Sequence, residues 1–375
     1  MPHIVLLSES IGAGHERAAM AIEEALLSLN ENIQVTRLNV LDTFRPRTAK
    51  VTRTLYLQSL SHYPNLWGKW YEKHRQKEWK GISRSLVRGI LRKEVVSWLH
   101  QLAPDVVVCT HPLPTFLIAE MKKQGLQIPL CSVLTDFDLH AYWTHRGVDV
   151  YCVPVNEMKE ESLKRPGNRA AVIVSGIPVL RTFTETAAKK SDDPVFNGNV
   201  LIIGGGLGIG VLPVVQQMVM SKIPCTLTVV CGLNQSLRRQ LKACYGNHKN
   251  VRILGYSRQI ERLMAESDLL VTKPGGLTIA EALVMKLPMV LYTPIPGQEW
   301  RNGQVMNEYG VAITAGTPAD TSNIVHDLLQ NHTRIEKMVK AMNGIRRPYA
   351  SIEVVETIMD LATQGQRKRM YVMMS

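Results

Sequence analysis

The residues of this chain best suited to chemistry stand just after short apolar runs. Gly12-Ala13-Gly14-His15 follows the run His3–Ser8 and opens a segment with apolar Ala18, Ile22, Ala25 and Leu26 at helical spacing. Glycines at such a turn let backbone N–H groups approach a ligand, and a helix start favours an anion or a developing negative charge. A histidine there begins from a pKa of about 6.5, and the helix dipole is expected to lower it toward the neutral, base-competent form. His15 is therefore a candidate general base; the plainer alternative is a tight turn with an exposed first-turn histidine.

Four further loops also follow apolar runs. Gly204-Gly205-Gly206-Leu207-Gly208-Ile209-Gly210 follows Asn199–Ile203. It matches GxGxxG in no register, and the next strand ends at Cys231-Gly232-Leu233-Asn234, with no acid for a ribose 2′-hydroxyl, so a nicotinamide dinucleotide is not expected. A diphosphate cradle around Gly206 and Gly208, or close helix–strand packing, both remain open. Lys273-Pro274-Gly275-Gly276 again puts a glycine turn at a helix start, with Glu281 one turn on as a candidate partner for ribose hydroxyls. Thr278-x-x-Glu281 also reads as a capping box, a competing use of that carboxylate. Gln298 and Glu299, in Pro296-Gly297-Gln298-Glu299-Trp300-Arg301-Asn302, suit sugar hydroxyls or simply a capped surface turn. Thr135-Asp136-Phe137-Asp138, with His140 and Trp143 beyond, could hold a divalent metal through Asp-x-Asp. The reading favoured here is no metal, with Asp136 as a helix N-cap the alternative.

These loops need strands to carry them. Apolar runs at His3–Ser8, Val35–Val40, Asp105–Cys109, Leu130–Leu134, Val150–Val153 and Ala171–Val174 alternate with helical patterns. After the polar stretch Lys189–Gly198 the alternation restarts, with runs at Asn199–Ile203, Thr226–Val230, Val251–Ile253, Leu269–Thr272 and Met289–Tyr292. Short apolar runs between helices predict parallel sheets covered on both faces. Asp105-Val-Val-Val-Cys-Thr-His-Pro is echoed by Asp268-Leu-Leu-Val-Thr-Lys-Pro, which favours two similarly wound α/β domains with a cleft between them. We place them at 1–187 and 188–344, with 345–375 a candidate for packing back on the first.

A length of 375 residues suits two domains, and 45% apolar content suits a globular chain. The N-terminus runs straight into a strand, so no signal peptide is expected. The uncharged stretch Val200–Ser221 is broken by glycines and predicts no transmembrane helix. Six scattered cysteines form no CxxC pair and read as reduced core residues of an intracellular protein. The net charge is +12, and residues 43–93 hold thirteen Lys or Arg against Glu72 and Glu78, a local net of +11. There Trp67, Trp70 and Trp79 are interleaved with Lys73, Arg75, Lys77 and Lys80, followed by Arg84 and Arg88 beside apolar Ile82, Leu86 and Ile90. Aromatic material beside a cationic face suits contact with anionic lipid. Nucleic acid would accept the same patch but is not the partner expected. A solvated charged face is the ordinary alternative.

Taken together, Gly14-His15, Thr135-Asp136-Phe137, Ser175-Gly176-Ile177-Pro178, Lys273–Gly276 with Glu281, and Pro296–Glu299 with Asn302 resemble the diacylglycerol glycosyltransferases. These are the monogalactosyldiacylglycerol synthases of plants and the processive diacylglycerol glucosyltransferases of bacteria, in glycosyltransferase family 28. The likeness runs from His3 to about Gly310 and extends more distantly to the enzyme that adds N-acetylglucosamine to lipid I. One departure is Ala13, where the family often has glycine.

The resemblance implies an α/β GT-B fold, two Rossmann-like parallel-sheet domains facing a central cleft. It also implies a UDP-glucose or UDP-galactose donor, a diacylglycerol acceptor, inversion, and no cofactor or catalytic metal. His15 matches the general-base position and Asp136 is the second catalytic candidate. Gly206 and Gly208 fall near phosphate, Glu281 on ribose, and Gln298 and Glu299 near the sugar. Lys273, Gly275, Gly276, Asn302 and Gly14 complete the donor set. The protein is then expected peripherally on the cytoplasmic face of the membrane. A UDP-N-acetylglucosamine 2-epimerase, a polyprenyl-lipid glycosyltransferase and a non-enzymatic nucleotide-sugar sensor are the alternatives on the same fold.

Overall fold

A computed structural model of the protein describes residues 1–10, 12–62, 68–69, 71–73, 75, 82–165, 167–190, 196–292 and 297–374, with the side chains of 56–62, 82–90 and 367–374 outside the description. The chain divides into two compact units, Met1–Arg181 with Tyr349–Ser375, and Thr182–Pro348.

The first unit is built on six parallel strands: β1 (His3–Ser8), β2 (Gln34–Asn39), β3 (Val106–Cys109), β4 (Leu130–Val133), β5 (Val150–Val153) and β6 (Ala171–Val174). β1, β3, β4 and β5 are buried along their whole length, as apolar strands covered on both faces must be. The sheet order is β2-β1-β3-β4-β5-β6, with Ile4 opposite Val106 and Val108 opposite Cys131. Ile4, Leu6, Val106, Val108, Cys131 and Val133 share one face. Ile22 and Leu26 of the helix Ala13–Leu29 cover it together with Val354, Ile358 and Leu361 of the last helix, Ala350–Met374. That helix lies close: a Cβ on Gly365 would stand 2.8 Å from the Asp105 carbonyl oxygen.

The second unit holds β7 (Asn199–Ile203), β8 (Thr226–Val230), β9 (Val251–Leu254), β10 (Leu269–Thr272), β11 (Met289–Tyr292) and β12 (Ala312–Ala315), in the order β12-β11-β10-β7-β8-β9. Val200, Ile202, Val229 and Val271 pack with Val211, Val215 and Met218 of the helix Val211–Met220 and with Val325 and Leu328 of Pro318–Gln330.

The strands expected from the sequence are all present within a residue or so. Val40, expected at the end of β2, instead opens the short helix Val40–Phe44. β12 was missed because Ala312–Ala315, with alanines at both ends and a threonine inside, is less apolar than the other runs. The Asp105/Asp268 echo has a common structural use. Asp105 accepts the His3 N–H at 2.8 Å, and Asp268 accepts the Asn199 N–H at 2.8 Å, so each aspartate secures the first strand of its own sheet.

In both sheets the chain starts in the middle and winds outward in two directions. The order reverses between β1 and β3 in one unit and between β7 and β10 in the other. Loops leaving the carboxyl ends of strands flanking such a reversal line a crevice, where α/β proteins bind ligands. His15 and Lys273 both follow such strands.

Candidate active site

In the first unit, loops after β1, β3 and β4 converge because those three strands are neighbours. His15 is the third residue of the helix Ala13–Leu29 and is half-buried. Its Nδ1 lies 3.0 Å from the Thr110 carbonyl oxygen, which follows β3, and 2.6 Å from Thr135 Oγ1, which follows β4. A carbonyl can only accept, so Nδ1 carries the hydrogen and Nε2 the lone pair. The Thr110 hydroxyl donates back to the His15 carbonyl at 2.9 Å, closing a two-way link between the loops.

Burial pushes the His15 pKa below its ordinary value, opposed by the negative charge of Asp136 and the hydrogen bond to Thr110. Burial therefore favours the neutral imidazole. Asp136 is buried, and the chain from 134 to 140 is irregular, so its N-cap alternative is not realised.

Other histidines line the same place. His111 caps the helix Pro112–Lys122, its Nδ1 accepting the Leu113 N–H at 3.1 Å, and its ring meets His15 edge-on at 4.6 Å. Burial, then the charges of His15 and His140, hold His111 well below the usual imidazole range. Burial is also the main cause of a His140 pKa of about 4. Trp143, fully buried, lies 6.3 Å from His15 and 6.2 Å from His140, ring to ring. Thr110 and His111 were not singled out in the sequence; the only signal was a His-Pro step directly after a strand.

The Asp-x-Asp pair does not act as a unit. Asp138 accepts from Arg75 Nε at 2.9 Å and from Tyr71 Oη at 2.8 Å. Burial would raise its pKa, but the Arg75 hydrogen bonds and charge prevail and hold it below the usual carboxylate range. Arg75 is thereby turned inward, with 16% of its side chain exposed. This corrects its assignment to a lipid-facing set, because a guanidinium spent on a buried carboxylate is not presented to a headgroup. Lys73 is exposed. Trp67, Trp70, Lys77, Trp79 and Lys80 lie outside the described residues, as do the side chains of Arg84 and Arg88 on the helix Ile82–Leu102. Among the described residues no helix is long and apolar enough to cross a membrane.

In the second unit the loops after β7, β10 and β11 gather most of the donor set. Lys273 forms an ion pair with Glu299, and Asn302 Nδ2 donates to the Pro274 carbonyl at 3.1 Å. Those two contacts fasten the loop after β10 to the helix Gln298–Glu308. Gly297 ahead of that helix has φ 108°, a conformation L side chains rarely adopt.

Gly275, not Thr278, is the N-cap of the helix Gly276–Val284, so the capping-box reading of Glu281 is not realised; Glu281 is buried within that helix. A Cβ on Gly275 would meet open space, whereas one on Gly208 would stand 2.6 Å from Leu237 Cδ2. One on Gly210 would stand 2.6 Å from the Tyr292 ring. Gly208 and Gly210 thus have packing reasons to be glycine. Gly206 accepts the Leu233 N–H at 2.8 Å through its carbonyl. Gly14 belongs to the first unit, beside His15, and the other residues of its predicted group belong to the second.

Comparison with known proteins finds a matching family in each half of the chain. Residues 15–179 match the monogalactosyldiacylglycerol (MGDG) synthase family, and residues 199–312 the glycosyltransferase family 28 C-terminal domain. A processive diacylglycerol beta-glucosyltransferase of Bacillus pumilus is 30% identical over 370 residues, 95% of this chain and 94% of the relative. One from Bacillus cytotoxicus is 29% identical over 373 residues, 96% of this chain and 94% of the relative. Among solved structures, Acinetobacter baumannii MurG superposes with a TM-score of 0.63 at 17% identity, covering 96% of this chain and all of that one, a likeness of fold. With relatives matched along nearly their whole length and two α/β units of the GT-B kind, the chain belongs to the family of monogalactosyldiacylglycerol synthases and processive diacylglycerol glucosyltransferases, glycosyltransferase family 28.

Proposed function

We propose that the protein transfers a hexose from a UDP-sugar to the free hydroxyl of diacylglycerol, with inversion, at a membrane surface. The observation that carries this reading is His15, a neutral imidazole whose Nδ1 is tied to Thr110 and Thr135 while Nε2 keeps its lone pair. The acceptor hydroxyl gives its proton to Nε2 as its oxygen bonds to the anomeric carbon, and the bond to the UDP β-phosphate oxygen breaks. Asp136 offsets the positive charge that forms on the ring. Lys273 and the N–H groups opening the helix Gly276–Val284 meet the charge gathering on the diphosphate, in place of a divalent metal.

UDP-glucose is the donor we favour. The relatives are named beta-glucosyltransferases, and inversion of the α-linked donor yields a β-linked product. We assign lipid contact to the tryptophans and cations of 67–88 other than Arg75, and a peripheral place on the cytoplasmic face.

The test is incubation with diacylglycerol in anionic micelles and, separately, UDP-glucose, UDP-galactose and UDP-N-acetylglucosamine, followed by separation of the lipids. A glucolipid is expected. Absence of glycolipid with every donor would overturn the proposal, and conversion of free UDP-N-acetylglucosamine without lipid would replace it with an epimerase.

A further inference from the structure

The basic segment and the histidine site, two features with no relation in the sequence, are joined by a buried ion pair. We propose that Asp138 is a positioning residue for His15, and that Tyr71 and Arg75 of the basic segment are the arms that hold it. The proposal rests on the reading of His15 as the general base.

Asp138 is 4% exposed, and its carboxylate takes hydrogen bonds from two residues of this segment. Tyr71 Oη donates to Oδ2 at 2.8 Å, while Arg75 Nε and Nη2 donate to Oδ1 at 2.9 and 2.5 Å. Backbone joins in, since the Ala141 N–H donates to the Arg75 carbonyl at 2.7 Å. The Tyr71 ring meets His140 edge-on at 5.5 Å. Asp138 stands three residues after Thr135, which reaches His15 Nδ1, and two after Asp136, whose charge acts on the same ring.

The other side of the loop is held independently. Arg165 donates to the Leu139 carbonyl and to Thr144 Oγ1, and pairs with Glu161, which also lies 3.7 Å from Arg75. Thus the stretch from 135 to 144 sits between two guanidiniums. A second staple ties the basic region to the loop that precedes His15. Arg53 pairs with Asp42, and both bond to Ser10.

A carboxylate this buried keeps its place only while its cation does, because losing the partner leaves an uncompensated charge. The loop would then open to water, releasing Thr135 from Nδ1. A planar guanidinium grips a carboxylate through two nitrogens, which a lysine cannot reproduce.

The full-length Arg75→Ala, Arg75→Lys and Tyr71→Phe proteins test this. The readouts are kcat and KM for diacylglycerol, sedimentation with vesicles of phosphatidylglycerol and phosphatidylcholine, and the NMR titration of the His15 ring. Asp136, His111 and His140 are the titratable groups facing that ring.

For Arg75→Ala we expect kcat to fall at least about tenfold with vesicle binding retained. The His15 pKa should rise toward the ordinary imidazole value as burial is relieved. Arg75→Lys should restore only part of the rate, and Tyr71→Phe, which removes one hydrogen bond and should leave the fold intact, should move His15 in the same direction by less. An unmoved His15 titration in both folded variants overturns the proposal. So does loss of vesicle binding at unchanged kcat, which would make Arg75 a lipid contact after all. Because the titration needs no product, a wild-type protein that makes no glycolipid while His15 still responds to Arg75 would overturn the transferase reading alone.

Discussion

Nδ1 of His15 lies 3.0 Å from the carbonyl oxygen of Thr110, and the Thr110 hydroxyl reaches back to the His15 carbonyl at 2.9 Å. The pair locks the imidazole tautomer by backbone chemistry, so no substitution of a side chain at 110 removes the acceptor on which Nδ1 depends. Among the described residues, the side chain sharing that nitrogen is Thr135, at 2.6 Å.

His15→Ala should lower kcat by about 10²–10⁴-fold, the usual worth of a positioned general base, while calorimetry still detects UDP binding. Thr135→Val should cost much less, because the Thr110 carbonyl still holds the ring. Turnover near wild type in His15→Ala would remove the base assignment.

The pH profile has a definite sign. A histidine whose pKa is pushed below the ordinary value by burial keeps its lone pair as pH falls past about 6.5. The acid limb of kcat/KM should therefore lie below pH 6.5, and activity should fall only as pH drops through the lowered value. An acid limb centred above 6.5 contradicts a neutral His15.

Glu9, beside the histidine loop, has its pKa raised from 4.5 to about 8, mainly by burial; the hydrogen bond from the Leu41 N–H opposes the shift. The folded state binds that proton more tightly than the unfolded one, so the group's stabilising contribution is fully present below pH 4.5 and is lost as pH rises to about 8. Glu9→Gln keeps an oxygen for Leu41 and removes the titration. Its Tm should exceed that of wild type at pH 8 and converge with it near pH 4.5. Parallel curves across that range would show that Glu9 is not held neutral.

Two glycines of the second unit should separate packing from binding. Gly210→Ala drives a Cβ to 2.6 Å from the Tyr292 ring at φ +76°, and should destabilise by about 1–3 kcal/mol. Gly275→Ala meets open space at φ −77°, so Tm should hold while UDP affinity falls if a phosphate approaches there. Unfolding curves and UDP calorimetry on the two variants decide it, and equal UDP affinity in wild type and Gly275→Ala would move the diphosphate elsewhere.

Lys273→Ala removes the cation we assign to the diphosphate together with its ion pair to Glu299. The KM for the UDP-sugar should rise about tenfold or more, the worth of one charge-assisted hydrogen bond. Activity should survive EDTA, since no step of the proposed transfer uses a divalent ion. Loss of turnover in EDTA, restored by magnesium or manganese, would put a metal back at the phosphates.

Much of the site was legible because parallel α/β architecture ties function to local pattern. An apolar run followed by a glycine turn places its loop at the carboxyl edge of a sheet, and that held for His15 and Lys273 alike. The structure chose where one motif allowed two uses. Thr278-x-x-Glu281 acts as a capping box only if Thr278 is the N-cap, and the N-cap is Gly275. Arg75 looked like one cation among many because its partner, Asp138, lies 63 residues away.

What the sequence determined by itself was every strand but β12, the loops at their ends, the kinship with lipid glycosyltransferases, and the concentration of cations and tryptophans in one segment. Only the tertiary structure decided which nitrogen of His15 is free, which of two aspartates is spent, and which glycines are there for packing. The reason is distance along the chain. Thr110 and Thr135 are 95 and 120 residues from His15, and they meet it only because β1, β3 and β4 lie side by side. Strand order and burial, which set those contacts and the protonation they impose, are properties of the assembled sheet and of no local stretch of residues.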